Sequence, residues 1–185
     1  LDANNTSNYN LLVGGSWYNT GTFLGRAATV TFNSTVATTY DISAGVSGLF
    51  NNLIISGGSS TTYRLVNTNL TVKGNFNLTS GTFNLNSRQF NFGDGIGSDN
   101  LNVYSNFNLD ANSTLSMGSN ASLNVASGVF SMIGSNELNP ASISTNSGKF
   151  SFVVNSGAQI RGRYYAVSGL NTGGLIVRSG ATLGS

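Results

Sequence analysis

Asp94 and Asp99 are the two carboxylates closest together along the chain, in the segment Gly93-Asp94-Gly95-Ile96-Gly97-Ser98-Asp99. Glycoside hydrolysis needs two carboxyl groups about 5 to 9.5 Å apart, so this pair is the one place where acid–base chemistry on a sugar is conceivable. A glycine-rich turn explains the same residues without any chemistry. Gly95 to Leu101 also matches part of the calcium-binding nonapeptide G-G-x-G-x-D-x-U-x. Sites of that kind draw ligands from adjacent turns and need consecutive copies, and the preceding nine residues carry no second one. Asp94 and Asp99 are therefore read as a calcium candidate lacking its second copy, and not as a catalytic pair.

The chain has no His and no Cys. Histidine triads, imidazole acids, ordinary zinc sites, thiolate nucleophiles and disulfides are thereby excluded. Arg161 and Arg163 leave a lyase base formally open, although solvated basic residues on a coil face are the preferred reading. Trp17, Tyr18, Tyr164 and Tyr165 have rings that can stack on sugars. For Trp17 the competing reading is that it covers an end of the fold or fills a corner of it. No catalytic residue, cofactor or metal is assigned, and the chain is not expected to be an enzyme.

The eight basic residues are scattered and the formal charge is only +2, which argues against nucleic acid as a partner. Apolar runs such as Leu53-Ile54-Ile55 are far too short to span a bilayer, so no membrane insertion is expected. Nothing in Leu1 to Asn10 resembles a signal peptide, and the chain is read as a mature segment of a longer secreted protein.

The elements that must position these residues are strands. Stretches such as Thr82-Phe83-Asn84-Leu85-Asn86 and Ala121-Ser122-Leu123-Asn124-Val125 alternate apolar with small polar residues, the two-residue period of a half-buried strand. No stretch shows helical periodicity. Only 8% of the residues are charged, against about 25% in ordinary domains. Asn, Ser, Thr and Gly must therefore coat the surface and make the turns.

Internal echoes are present. Asn69 to Leu78 matches Asn100 to Leu109 at an offset of 31. Gly21-Thr22-Phe23 recurs as Gly81-Thr82-Phe83, Ser127 to Ser131 recurs as Ser147 to Ser151, and Ser156-Gly157-Ala158 recurs as Ser179-Gly180-Ala181. Coils of roughly 20 to 30 residues, stacked so that like lies over like, accommodate such spacings. The expected fold is all-β: a parallel β-helix, taken as right-handed, of about seven to nine coils in a single domain spanning 1–185. Leu1 to Ser16 fit the pattern less clearly and are read as an edge or linker strand. Phe76 over Phe107, and Leu78 over Leu109, are expected to form interior ladders. A β-sandwich is the alternative, but its hairpins usually carry two-residue turns, and Asp94-Gly95 lacks alternating strands on both sides.

The runs Thr29-Val30-Thr31-Phe32-Asn33, Leu49-Phe50-Asn51-Asn52-Leu53-Ile54-Ile55 and Asn69 to Phe83 resemble the repetitive β-helical arrays of large bacterial surface adhesins. Those arrays are best known in proteins exported by the type IX, gliding-associated route. Ser156 to Tyr165 and Gly174 to Leu183 look like further coils of that class. The resemblance implies a secreted or cell-surface location and a structural or adhesive role, as a rigid rod able to assemble into extracellular fibres. A polysaccharide-processing or carbohydrate-binding β-helix is the alternative. The partners expected on this reading are further copies joined end to end, flanking repeats, and surface glycans.

Overall fold

The computed structural model describes residues 1–4, 6–45 and 49–185. Among them there is no helix, and three parallel sheets stack into a β-solenoid of about 7 turns. The first sheet contains Leu11–Val13, Thr29–Phe32, Asn52–Ser56, Phe76–Ser80, Asn100–Val103, Ser122–Val125, Phe150–Val154 and Leu170–Val177, in that spatial order. The second runs from Trp17–Tyr18 through Thr39–Ser43, Thr62–Leu65, Thr82–Asn84, Asn106–Leu109, Val129–Ile133 and Gln159–Arg163 to Thr182–Gly184. The third runs from Leu49–Phe50 through Leu70–Val72, Gln89–Phe92, Thr114–Met117 and Ala141–Thr145 to Tyr165–Val167. From Thr29–Phe32 onward the chain visits the three sheets in rotation, so neighbours in a sheet are one coil apart in sequence.

Alternation along each strand decides what lies inside. One inward row of the first sheet is Leu11, Val30, Leu53, Phe76, Leu101, Leu123, Phe152 and Leu175. The next, two residues along, ends in Val103, Val125, Val154 and Val177. In the second sheet Tyr40, Tyr63, Phe83, Phe107, Phe130, Ile160 and Leu183 form the corresponding row. The twelve largest fully buried side chains are eleven phenylalanines and Tyr63. Hydrophobic burial along the whole axis, and not any local helix or cap, therefore stabilises the stack.

Between the apolar positions the amides of the surface stack as well. Asn102 Nδ2 donates to Asn77 Oδ1 at 2.9 Å, and Asn124 Nδ2 donates to Asn102 Oδ1 at 3.2 Å. At the corner before the first sheet, Asn52 Oδ1 accepts from the Asn75 backbone N–H and Asn75 Oδ1 from that of Asn100, at 2.9 and 3.0 Å. Side chains thus satisfy turn amides that no strand pairs. Asn67, Asn86, Asn112 and Asn120 take positive φ at other corners, a conformation that asparagine tolerates better than most residues.

The expected ladders need correction. Phe76 pairs with Leu53 and Leu101 in the first sheet, whereas Phe107 pairs with Phe83 and Phe130 in the second. Leu78 likewise lies beside Ile55 and Val103, and Leu109 beside Met132. The 31-residue echo spans one coil plus one further side. Phe76 and Phe107 still meet edge to face across the interior, with ring centroids 5.9 Å apart. The Phe130 and Phe150 echo also joins different sheets. Only Gly157 and Gly180 are true coil neighbours, joined by a 3.0 Å backbone hydrogen bond. Coil spacings read from axial contacts are 22, 23 and 25 residues in the middle of the stack.

Candidate functional site

Asp94 and Asp99 sit on the connection from Gln89–Phe92 to Asn100–Val103. Asp94 Oδ1 accepts from the Ile96 N–H at 2.8 Å, and Asp99 Oδ2 accepts from the Asp94 N–H at 3.3 Å. Burial pushes the Asp99 carboxyl above its ordinary pKa. Both carboxylates fold back onto their own loop, the arrangement of a turn. Among the described residues no group of three or more His, Cys, Asp or Glu side chains gathers to hold a metal.

Trp17 and Tyr18 are consecutive strand residues and so point to opposite sides. The Trp17 indole turns inward, with ring centroids 5.2 Å from Phe23 and 5.7 Å from Phe50. Its Nε1 is buried without a partner. Trp17 therefore packs the first coil, and its ring is not offered to a sugar. The Tyr18 ring is exposed, and its hydroxyl donates to Asp41 Oδ2 at 2.5 Å. Asp41 Oδ1 in turn accepts from Arg64 Nε at 2.7 Å. Tyr164 lies against the Arg163 guanidinium, 5.7 Å from ring centroid to Cζ, and Tyr165 begins the last strand of the third sheet. Six strand steps separate Trp17–Tyr18 from Gln159–Arg163, about 29 Å along the axis. The two aromatic pairs therefore do not form one platform.

The Tyr18 hydroxyl and the Arg64 guanidinium together hold the Asp41 carboxyl below its usual pKa. Ionised Asp41 thus stabilises the fold above its ordinary pKa, and this contribution fades as pH falls through the lowered folded value. The groups are largely solvated, so the effect is small. Asp41→Asn is expected to lower Tm by less than about 4 °C near neutral pH. In melts taken down a pH series the difference should close in strong acid; a gap that widens there would contradict the network.

The outer face of the second sheet carries a feature that single motifs do not reveal. Thr82, Asn106, Asn108, Val129, Ser131 and Arg161 line a shallow cleft of about 320 Å³. Two outward rows build it, Thr62–Thr82–Asn106–Val129–Gln159 and Arg64–Asn84–Asn108–Ser131–Arg161. Four successive coils contribute, so the cleft exists only when the stack is formed.

The far end of the stack is the second feature. Leu175 and Leu183 occupy inward rows, yet they are 41% and 69% exposed, whereas Phe152 and Ile160 one coil earlier are 0% and 5% exposed. Tyr165, Val167, Leu170, Leu175 and Leu183 line an open hollow of about 240 Å³ there. At the opposite end Ala3, Phe23 and Ala28 are buried and Trp17 is packed against the core. The inward side chains of the last coil are thus more exposed than those packed at the first.

Compared with family models, curated proteins and solved structures, the chain matches none of them.

Proposed function

We propose that this chain is a rigid β-solenoid rod of a secreted or cell-surface bacterial protein, with a structural or adhesive role in spacing, displaying or assembling. The observation that carries the reading is the unbroken stack, three parallel sheets wrapped around one apolar interior. Inward rows of aliphatic and aromatic side chains run through the stack, and those of the last coil meet solvent. Unpaired strand edges and an exposed apolar patch together favour a further strand layer. Association of copies in the same parallel register would cover such edges and lengthen the rod. The neutral amide and hydroxyl coat, and the likeness of Asn69 to Phe83 to adhesin arrays, support display outside the cell.

Hydrogen exchange combined with light scattering over a range of concentrations tests the reading. Amides in Leu170–Val177 and Thr182–Gly184 are expected to exchange far faster than those in Ser122–Val125 when the chain is monomeric, and to gain protection when copies associate. A monomer at every concentration, with its last coil protected as well as its middle, would contradict association through this face.

A further inference from the structure

The cleft on the second sheet has a chemistry that selects a ligand. Hydroxyl and amide side chains of Thr82, Asn106, Asn108 and Ser131 line it beside a single guanidinium, that of Arg161. Arg161 is exposed, and its Nε donates to Gln159 Oε1 at 2.9 Å. That bond fixes the plane of the guanidinium and leaves both terminal amino groups without a hydrogen-bond partner among the described residues. The ion pairs among those residues are Arg26 with Asp2 and Arg64 with Asp41. Arg161 therefore faces the cleft with an uncompensated charge.

The charged groups nearby reinforce this sign. Arg163 lies two residues further along the same strand and so points to the same side as Arg161. Asp41 is engaged by Arg64 and Tyr18, and Asp110 Oδ1 accepts from the Ser87 backbone N–H at 2.9 Å and from the Ser113 hydroxyl. Arg64 and Arg161 are four strand steps apart in one row, about 19 Å. Between them lie only Asn84, Asn108 and Ser131.

We infer that the outer face of the second sheet binds an acidic polysaccharide. A carboxylate or sulfate of the chain meets the terminal amino groups of Arg161, which suit bidentate recognition of planar oxyanions. The sugar hydroxyls exchange hydrogen bonds with Asn106, Asn108, Ser131 and Thr82, and the chain runs along the row toward Arg64. Nucleic acid suits this surface less well, because single strands are held by aromatic stacking beside a basic groove, and the two rows that build the cleft carry no aromatic ring. The inference rests on the adhesive part of the proposed function, but the face is complete within this chain and does not depend on what covers the last coil.

Titration calorimetry at low salt with polygalacturonate, heparin, neutral dextran, inorganic sulfate and single-stranded DNA provides the test. One or both acidic polysaccharides should bind, the carboxylated and sulfated probes showing which anion is preferred, and the affinity should fall as salt rises. Dextran should give no signal. Arg161→Gln should weaken binding about tenfold or more, Asn108→Ala should weaken it less, and Lys73→Gln beside the third sheet should leave it unchanged. Thermal melts establish that each variant is folded. Silence with both acidic polysaccharides, a signal for inorganic sulfate alone, DNA binding as tight as glycan binding, or full affinity in Arg161→Gln would each overturn the inference. Because rod assembly is read by scattering and exchange, failure here leaves that result standing, and the converse holds.

Discussion

Replacing Phe107 by alanine is expected to cost about 3 to 5 kcal/mol of folding stability. The ring lies 5.2 Å from Phe130 and 5.4 Å from Phe83 in its own sheet, 5.9 Å from Phe76 in the first sheet and 6.3 Å from Phe90 in the third, centroid to centroid. One side chain thus ties all three walls together. Its removal takes away the transfer energy of a fully buried ring and leaves a cavity whose walls are pinned by strand ladders on every side, so little collapse can offset the loss. Phe107→Leu should cost markedly less, and Tyr104→Ala on the exposed corner should stay within about 0.5 kcal/mol of the parent. Urea unfolding of the three variants measures this. A loss below about 1 kcal/mol for Phe107→Ala would mean that the interior is not packed around that ring.

Gly128→Val is expected to be of similar size, for a reason in the backbone. Gly128 turns the chain from Ser122–Val125 into Val129–Ile133 with φ of +72°. A Cβ at this position would lie 2.5 Å from the Ser105 carbonyl oxygen of the coil beneath. That same oxygen accepts the Val129 N–H, and the Gly128 oxygen accepts the Gln159 N–H. A β-branched residue meets both the penalty of left-handed backbone, about 1 to 2 kcal/mol, and a collision that parts two coils at the corner. The total loss should reach about 3 kcal/mol or more. Gly157 has φ of +81° but nothing within 4 Å of its would-be Cβ. Gly157→Ala should therefore cost only the backbone share, about 1 kcal/mol. Equal losses at the two sites would show that crowding at Ser105 is not felt.

The fold class was legible in the sequence because alternation is a local signal. Thr82 to Leu85 reads as a strand with Phe83 inside wherever it lies in space. The register was not legible, because all three walls use the same code of apolar, amide, apolar. The stretch containing Phe76 therefore matches the stretch containing Phe107 without lying beneath it. Coil lengths vary as well: Leu123 meets Phe152 across a coil that carries the extra loop around Pro140. The opposite directions of Trp17 and Tyr18 follow from alternation and could have been read in advance. The cleft could not, since Thr82, Asn108, Ser131 and Arg161 become neighbours only through the register of four coils. Arg161 on its own reads as a solvated charge on a strand.

Dipolar distances between spin labels test the stacking most directly. Thr31, Ile54, Asn77, Asn102, Asn124, Val153 and Ile176 form one outward row of the first sheet. With labels at 31 and 124 the backbone separation should be about 19 Å, and at 31 and 176 about 29 Å, four and six steps of a parallel ladder. Distances that grow in proportion to the number of coils bear the account out. A separation between 31 and 176 no longer than that between 31 and 124 would mean that the chain folds back on itself, and the continuous rod would be contradicted.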